Sequence, residues 1–174
     1  MELPGRKILL RGNHDMFWDA NKTAKLNELF AGKLEFLQDN YFAYQDYALV
    51  GTKGFTFEGP FYLNTRGKII GWDEEAHAKK LAVRELARLR ASLEAAKASG
   101  YTKFILFLHY PPTSILEDES GFTAMAEEYG VEQVVYAHSH GESRFYDSIL
   151  GEKNGIQYRL VSGDYLKWVP ERLL

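Results

Sequence analysis

Asn13, His14 and Asp15 stand consecutively in the sequence, directly after Arg11-Gly12 and the apolar run Ile8-Leu9-Leu10. A carboxamide, an imidazole and a carboxylate set side by side can bind a metal or move a proton. Burying them without partners would be costly. Two later segments repeat the arrangement: Phe104-Ile105-Leu106-Phe107-Leu108 runs into His109, and Val134-Val135-Tyr136 runs into Ala137-His138-Ser139-His140. Four of the five histidines therefore sit just past an apolar run. A lone histidine at a strand end is ordinarily a hydrogen-bonded rim residue, but four in this pattern point to a shared site. Imidazole suits zinc, iron or manganese, and an amide or carboxylate oxygen adds a harder ligand. In an extended segment His138 and His140 would face the same side and hold one cation, or one ligand each of two.

The elements that must position these residues can be read from periodicity. Short aliphatic runs stopped by glycine or proline read as buried strands, at Lys7–Arg11, Lys103–Leu108, Glu132–Tyr136 and Ile156–Ser162. In open α/β sheets, ligands gather beyond the carboxyl ends of such strands, which is where the histidines fall. Ala82, Leu86, Leu89, Leu93 and Ala96 form one buried stripe on a helix over Asp73–Ser99. Asp73, Glu74 and Glu75 favour its start and Gly100 its exit. Shorter helices are expected over Thr23–Phe30, ended by Gly32, and over Phe122–Tyr129. Between Glu35 and Gly54 the alternation reads as an antiparallel meander of Phe36-Leu37, Tyr41–Tyr44 and Tyr47–Gly51, with turns at Asp39-Asn40 and Gln45-Asp46. Phe55–Gly71 is loop-rich, a connection or a lid. Phe17 and Trp18 are expected in the core, the alternative being the wall of a substrate pocket, and His77 on the surface.

At 174 residues and 45% hydrophobic, the chain can bury one core and is expected to be one domain. A net charge of −3 gives no general pull toward nucleic acid or an anionic membrane. No apolar run approaches the ~20 residues of a spanning helix, and the N-terminus lacks a secretory pattern. Cysteine is absent, which rules out thiolate metal sites and fits a reducing, cytoplasmic setting. Alternating helices and strands around a β-rich middle argue for a layered α/β fold.

Gly12-Asn13-His14-Asp15, then His109, then Ala137-His138-Ser139-His140-Gly141 resemble, in order, the later motifs of the calcineurin-like metallophosphoesterases. The Leu10-to-Asp15 and His109-Tyr110-Pro111-Pro112 contexts, with Val161–Leu166, resemble a bacterial branch of predicted phosphohydrolases. The resemblance implies a β-sandwich flanked by helices and hydrolysis of a phosphomonoester or phosphodiester by a metal-activated hydroxide. It implies that Asn13, His109 and His138 ligate one divalent ion (manganese, iron or zinc), and that His140 ligates a second. It further implies that His14 is the general acid and that Asp15 orients it. The motifs are common to members acting on proteins, nucleotides, nucleic acids and lipids and do not single out a substrate; the partner expected is a phosphorylated small molecule or nucleotide, with nucleic acid less favoured and no membrane.

Two departures are visible. Ala137 stands where the family's G-H-x-H motif has glycine. The family's earlier D-x-H and G-D motifs are not in the chain, so it is expected to be an N-terminally incomplete domain over 1–174, lacking the N-terminal strands. One metal at most is then expected. Asp164 and Asp147 are the carboxylates available to stand in, and nothing in the sequence shows that they do. A sheet edge left uncovered would tend to self-associate. The alternative to an enzyme is a non-catalytic metal-binding or interaction module of the same descent.

Overall fold

Two sheets of unequal size carry the chain, as seen in a computed structural model that describes residues 4–55, 72–113, 115 and 119–174, without the side chains of 72–76 and 78. The first pairs β1 (Ile8–Leu10) parallel with β2 (Glu35–Leu37). The second has six strands: β3 (Tyr41–Tyr44), β4 (Tyr47–Thr52), β5 (Lys103–Leu108), β6 (Gln133–Tyr136), β8 (Ile156–Leu160) and β7 (Gly151–Lys153), in that spatial order. Its four central strands are parallel, and the edges β3 and β7 are antiparallel. This is the mixed α/β architecture expected. Parallel neighbours end on the same side, so the segments leaving β5, β6 and β8 share one rim.

Helix α2 (Trp72–Ala98) lies against β3 and β4. Ala82, Leu89, Leu93 and Ala96 of its stripe are buried, and Leu86 is partly so. With Phe122, Met125 and Ala126 of α3 (Gly121–Glu128), the stripe covers the face made by Val50, Phe104, Leu106, Val134, Tyr136 and Tyr158. The opposite face bears an apolar cleft toward the small sheet, lined by Ile8, Leu10, Leu37, Leu49 and Phe107. His77 is exposed, as expected. No helix among the described residues is long and apolar enough to cross a membrane. The Phe55–Gly71 loop lies outside the described residues, Phe55 excepted.

The middle of the chain differs from the expected meander. Phe36-Leu37 joins β1, not the β3–β4 hairpin. Both side chains are buried, so this strand needs apolar cover on both faces, which a hairpin edge cannot supply. Asn27 of α1 (Thr23–Leu29) fixes it there: its Oδ1 accepts from the Phe36 amide at 2.8 Å and its Nδ2 donates to the Phe36 carbonyl at 3.1 Å. Asp39 then turns the chain with φ +61°. Phe17 is also a correction. Trp18 is buried edge-on against Phe36 at 4.9 Å, but Phe17 beside it is exposed. The turn that brings the Trp18 amide to the Asp15 carbonyl, at 3.0 Å, sends only one of the two rings inward.

Candidate metal centre

Gly12 begins the site by leaving room. A Cβ there would stand 3.3 Å from both the Asp15 carboxylate and the His109 ring, closer than most real contacts. The Asp15 carboxylate accepts from the Gly12 amide at 2.7 Å and closes the loop that follows β1. Among the described residues no hydrogen bond joins Asp15 to His14, contrary to the orienting role expected of it. The reason is that the carboxylate is turned back onto the loop's own backbone. His14 is exposed.

The loop delivers Asn13 to His109, which leaves the end of β5. Asn13 Oδ1 lies 2.7 Å from His109 Nε2, and that nitrogen lies 3.1 Å from Nδ1 of His138, beyond β6. Donor atoms ~2.1 Å from one cation, on adjacent octahedral vertices, stand about 3.0 Å apart. The separations of His109 Nε2 from the other two atoms are close to that value, and an amide oxygen with two imidazole nitrogens is a donor set that suits a divalent ion. Among the described residues no group of three or more His, Cys, Asp or Glu side chains is placed to hold a metal ion.

His138 differs from the extended geometry expected of it. Its φ is +66°, and the Ser139 amide donates to the Ala137 carbonyl at 2.8 Å across a three-residue turn. A non-glycine residue held in the left-handed region costs on the order of 1 kcal/mol and marks positions where the side chain must be aimed. The turn separates the two histidines. His138 joins His109, whereas exposed His140 pairs through Nδ1 with Asp164 Oδ1 at 3.0 Å. Asp164 also accepts from the amides of Gly141 at 2.9 Å and Tyr165 at 3.0 Å. These bonds, led by the Gly141 amide, hold its carboxyl below the usual range. Asp164 thus acts as an orienter of His140, leaving Nε2 outward, in the manner of a carboxylate behind a metal-ligating histidine. Asp147 ends α4 (Glu142–Tyr146), its carbonyl accepts from the Ile115 amide, and among the described residues no hydrogen bond links it to Asn13, His109, His138 or His140.

The electrostatics favour neutral imidazoles. Burial pulls His109 down to about 4, helped by the charges of His138, Lys53 and His14 and opposed by Asp15. Burial likewise pulls His138 down to about 4, with His140, His14, Arg144 and Lys53 adding to it. Both rings thus offer lone pairs at neutral pH. Tyr110 packs against them, its ring 4.3 Å from His138 and 5.1 Å from His109, with Phe55 behind it at 5.5 Å.

The sequence reading missed Lys53 and the role of Asp164. Lys53 follows a strand with no motif around it and could not have been found that way. Asp164 was visible as a carboxylate in a glycine-flanked turn.

Compared with known proteins, residues 1–142 match the family model described as calcineurin-like phosphoesterase. That span includes Asn13, His14, Asp15, His109, His138 and His140. No curated protein and no solved structure matches the chain.

Proposed function

Because this chain belongs to the calcineurin-like phosphoesterase family, we propose that it hydrolyses a phosphate ester with a divalent ion held by Asn13, His109 and His138. The observation that carries this reading is the approach of Asn13 Oδ1, His109 Nε2 and His138 Nδ1 from three distant segments to 2.7 and 3.1 Å. When bound, such an ion supplies Lewis acidity toward a phosphoryl oxygen and acidifies water. His14, exposed beside Asn13 with its imidazole free of hydrogen bonds among the described residues, is the group that delivers a proton to the leaving alkoxide. Oriented by Asp164, His140 offers Nε2 to a second ion or to the substrate. Phosphorylated small molecules and nucleotides are the substrates, in a cytoplasmic setting.

A second reading, a metal-binding module without turnover, is favoured by one feature. No described carboxylate joins the three converging donors. The test is hydrolysis of p-nitrophenyl phosphate and bis(p-nitrophenyl) phosphate with manganese, beside calorimetric manganese titration. Turnover above buffer should vanish in His109→Ala and fall roughly 10²–10⁴-fold in His14→Ala with manganese affinity intact. Manganese binding without turnover would support the module. Neither binding nor turnover would remove both.

A further inference from the structure

Lys53 stands beside the donor cluster with its backbone fixed from two sides. Its carbonyl accepts from the amides of His109 at 3.1 Å and Tyr110 at 3.0 Å, and its own amide donates to Gln38 Oε1 at 2.9 Å. The residue is therefore held to the segment that carries a donor. Its ammonium is half-buried and sits 5.7 Å from the centroid of the Tyr110 ring, which in turn packs on His138. It makes no hydrogen bond or ion pair among the described residues. Partly withdrawing an ammonium from water without an acceptor is unfavourable. The buried carboxylate that acts on it, Glu85, is already engaged: Oε1 with Arg88 at 2.5 Å, Oε2 with Thr52 at 2.5 Å and Gln38 at 3.2 Å.

Arg11 adds to this. Its Nε donates to the Trp18 carbonyl at 2.6 Å, which fixes the guanidinium next to the Gly12–Asp15 loop, with no described partner for its terminal nitrogens. The charge of Arg11 acts on Lys53, so two neighbouring cations lack an ion-pair partner among the described residues, in a chain whose net charge is −3. Charges of one sign gathered at one place on a protein concentrate the opposite sign there.

We propose that Lys53, supported by the neighbouring Arg11, forms an anion subsite that takes phosphoryl oxygens beside the Asn13, His109 and His138 cluster. The subsite deepens the phosphoesterase reading and rests on it only for the identity of the anion. A lysine serves phosphate as a point charge with three donors, and such charge-assisted bonds are the strong ones.

The experiment titrates orthophosphate and pyrophosphate into the full chain by calorimetry, with and without manganese, for wild type, Lys53→Met and Lys53→Arg. Methionine keeps the stem that packs on Tyr110, so matched melting curves control for folding. Lys53→Met should weaken binding about tenfold and flatten its salt dependence, and Lys53→Arg should restore both. Loss for both ligands assigns Lys53 to the reacting phosphoryl group; loss for pyrophosphate alone assigns it to a second phosphate. Unchanged binding of both in Lys53→Met, or no binding by wild type, overturns the subsite. Manganese affinity is read separately. A chain that binds phosphate through Lys53 but no manganese sinks the metal-dependent reading and leaves the subsite standing.

Discussion

Acid should unfold this protein through the His109–His138 pair, and the size of the effect follows from where the two rings sit. In the unfolded chain each imidazole takes up its proton near 6.5; in the folded chain each does so only at about 4. Between those values the unfolded state binds more protons, so stability is full above the upper value, falls with pH through the window, and levels off below the lower one. A shift of that size would be worth ~3 kcal/mol per ring in a fully shielded site. Both rings keep some access to water, which screens them, and their mutual repulsion counts once. About 2 kcal/mol for the pair is the expected loss. The assay is urea unfolding in the presence of a chelator across about pH 7 to 4. A His109→Gln, His138→Gln double variant serves as reference. The Asp164 carboxyl is shifted in the same direction, so its contribution too is lost as pH falls, but only from the ordinary carboxylate range downward, below most of the window. Manganese gives a second readout, because proton and cation compete for the same lone pairs. A hundredfold excess over Kd stabilises by ~2.7 kcal/mol at neutral pH, and that gain should disappear across the same window. If wild type and double variant lose stability in parallel as pH falls, the pair is not held neutral by burial and the reasoning fails.

Two further perturbations test the frame that presents the site. Glu85→Ala removes a buried carboxylate from Arg88, Thr52 and Gln38; a loss of roughly 3–5 kcal/mol is expected by chemical denaturation, and a loss under 1 kcal/mol would show that the network contributes little. Gly51→Ala would place a Cβ 2.3 Å from the Phe107 carbonyl in the neighbouring strand. It should cost about 1–3 kcal/mol and weaken phosphate binding by displacing Lys53, whereas a wild-type melting temperature would contradict the close approach.

What the sequence disclosed, and what it did not, divides along a physical line. The α2 stripe, β5 and the positions of Asn13, His109 and His138 at strand ends were legible because local periodicity and apolar runs set them. The β1–β2 pairing was not, because it depends on a side chain, Asn27, bonding a backbone nine residues away. The β7–β8 hairpin was missed despite its signal. Asn154 and Gly155 both take positive φ, at +52° and +77°, as a two-residue hairpin turn requires. The separation of His138 from His140 could not be read at all. Alternation assumes an extended chain, and the left-handed turn at His138 breaks it.

The donor set carries a consequence of its own. Asn13, His109 and His138 are all neutral at physiological pH, and the one nearby carboxylate of the loop, Asp15, is turned onto the Gly12 amide. A divalent ion bound among neutral ligands would keep its full charge, beside the cations Lys53 and Arg11. Binding such an ion without an anion is opposed by its neighbours; binding an anion without the ion leaves only the two cations to hold it. Each therefore favours the other, and by linkage the factor by which phosphate tightens manganese must equal the factor by which manganese tightens phosphate. If the proposed site holds both, the phosphate group would supply the negative charge that the three neutral donors lack.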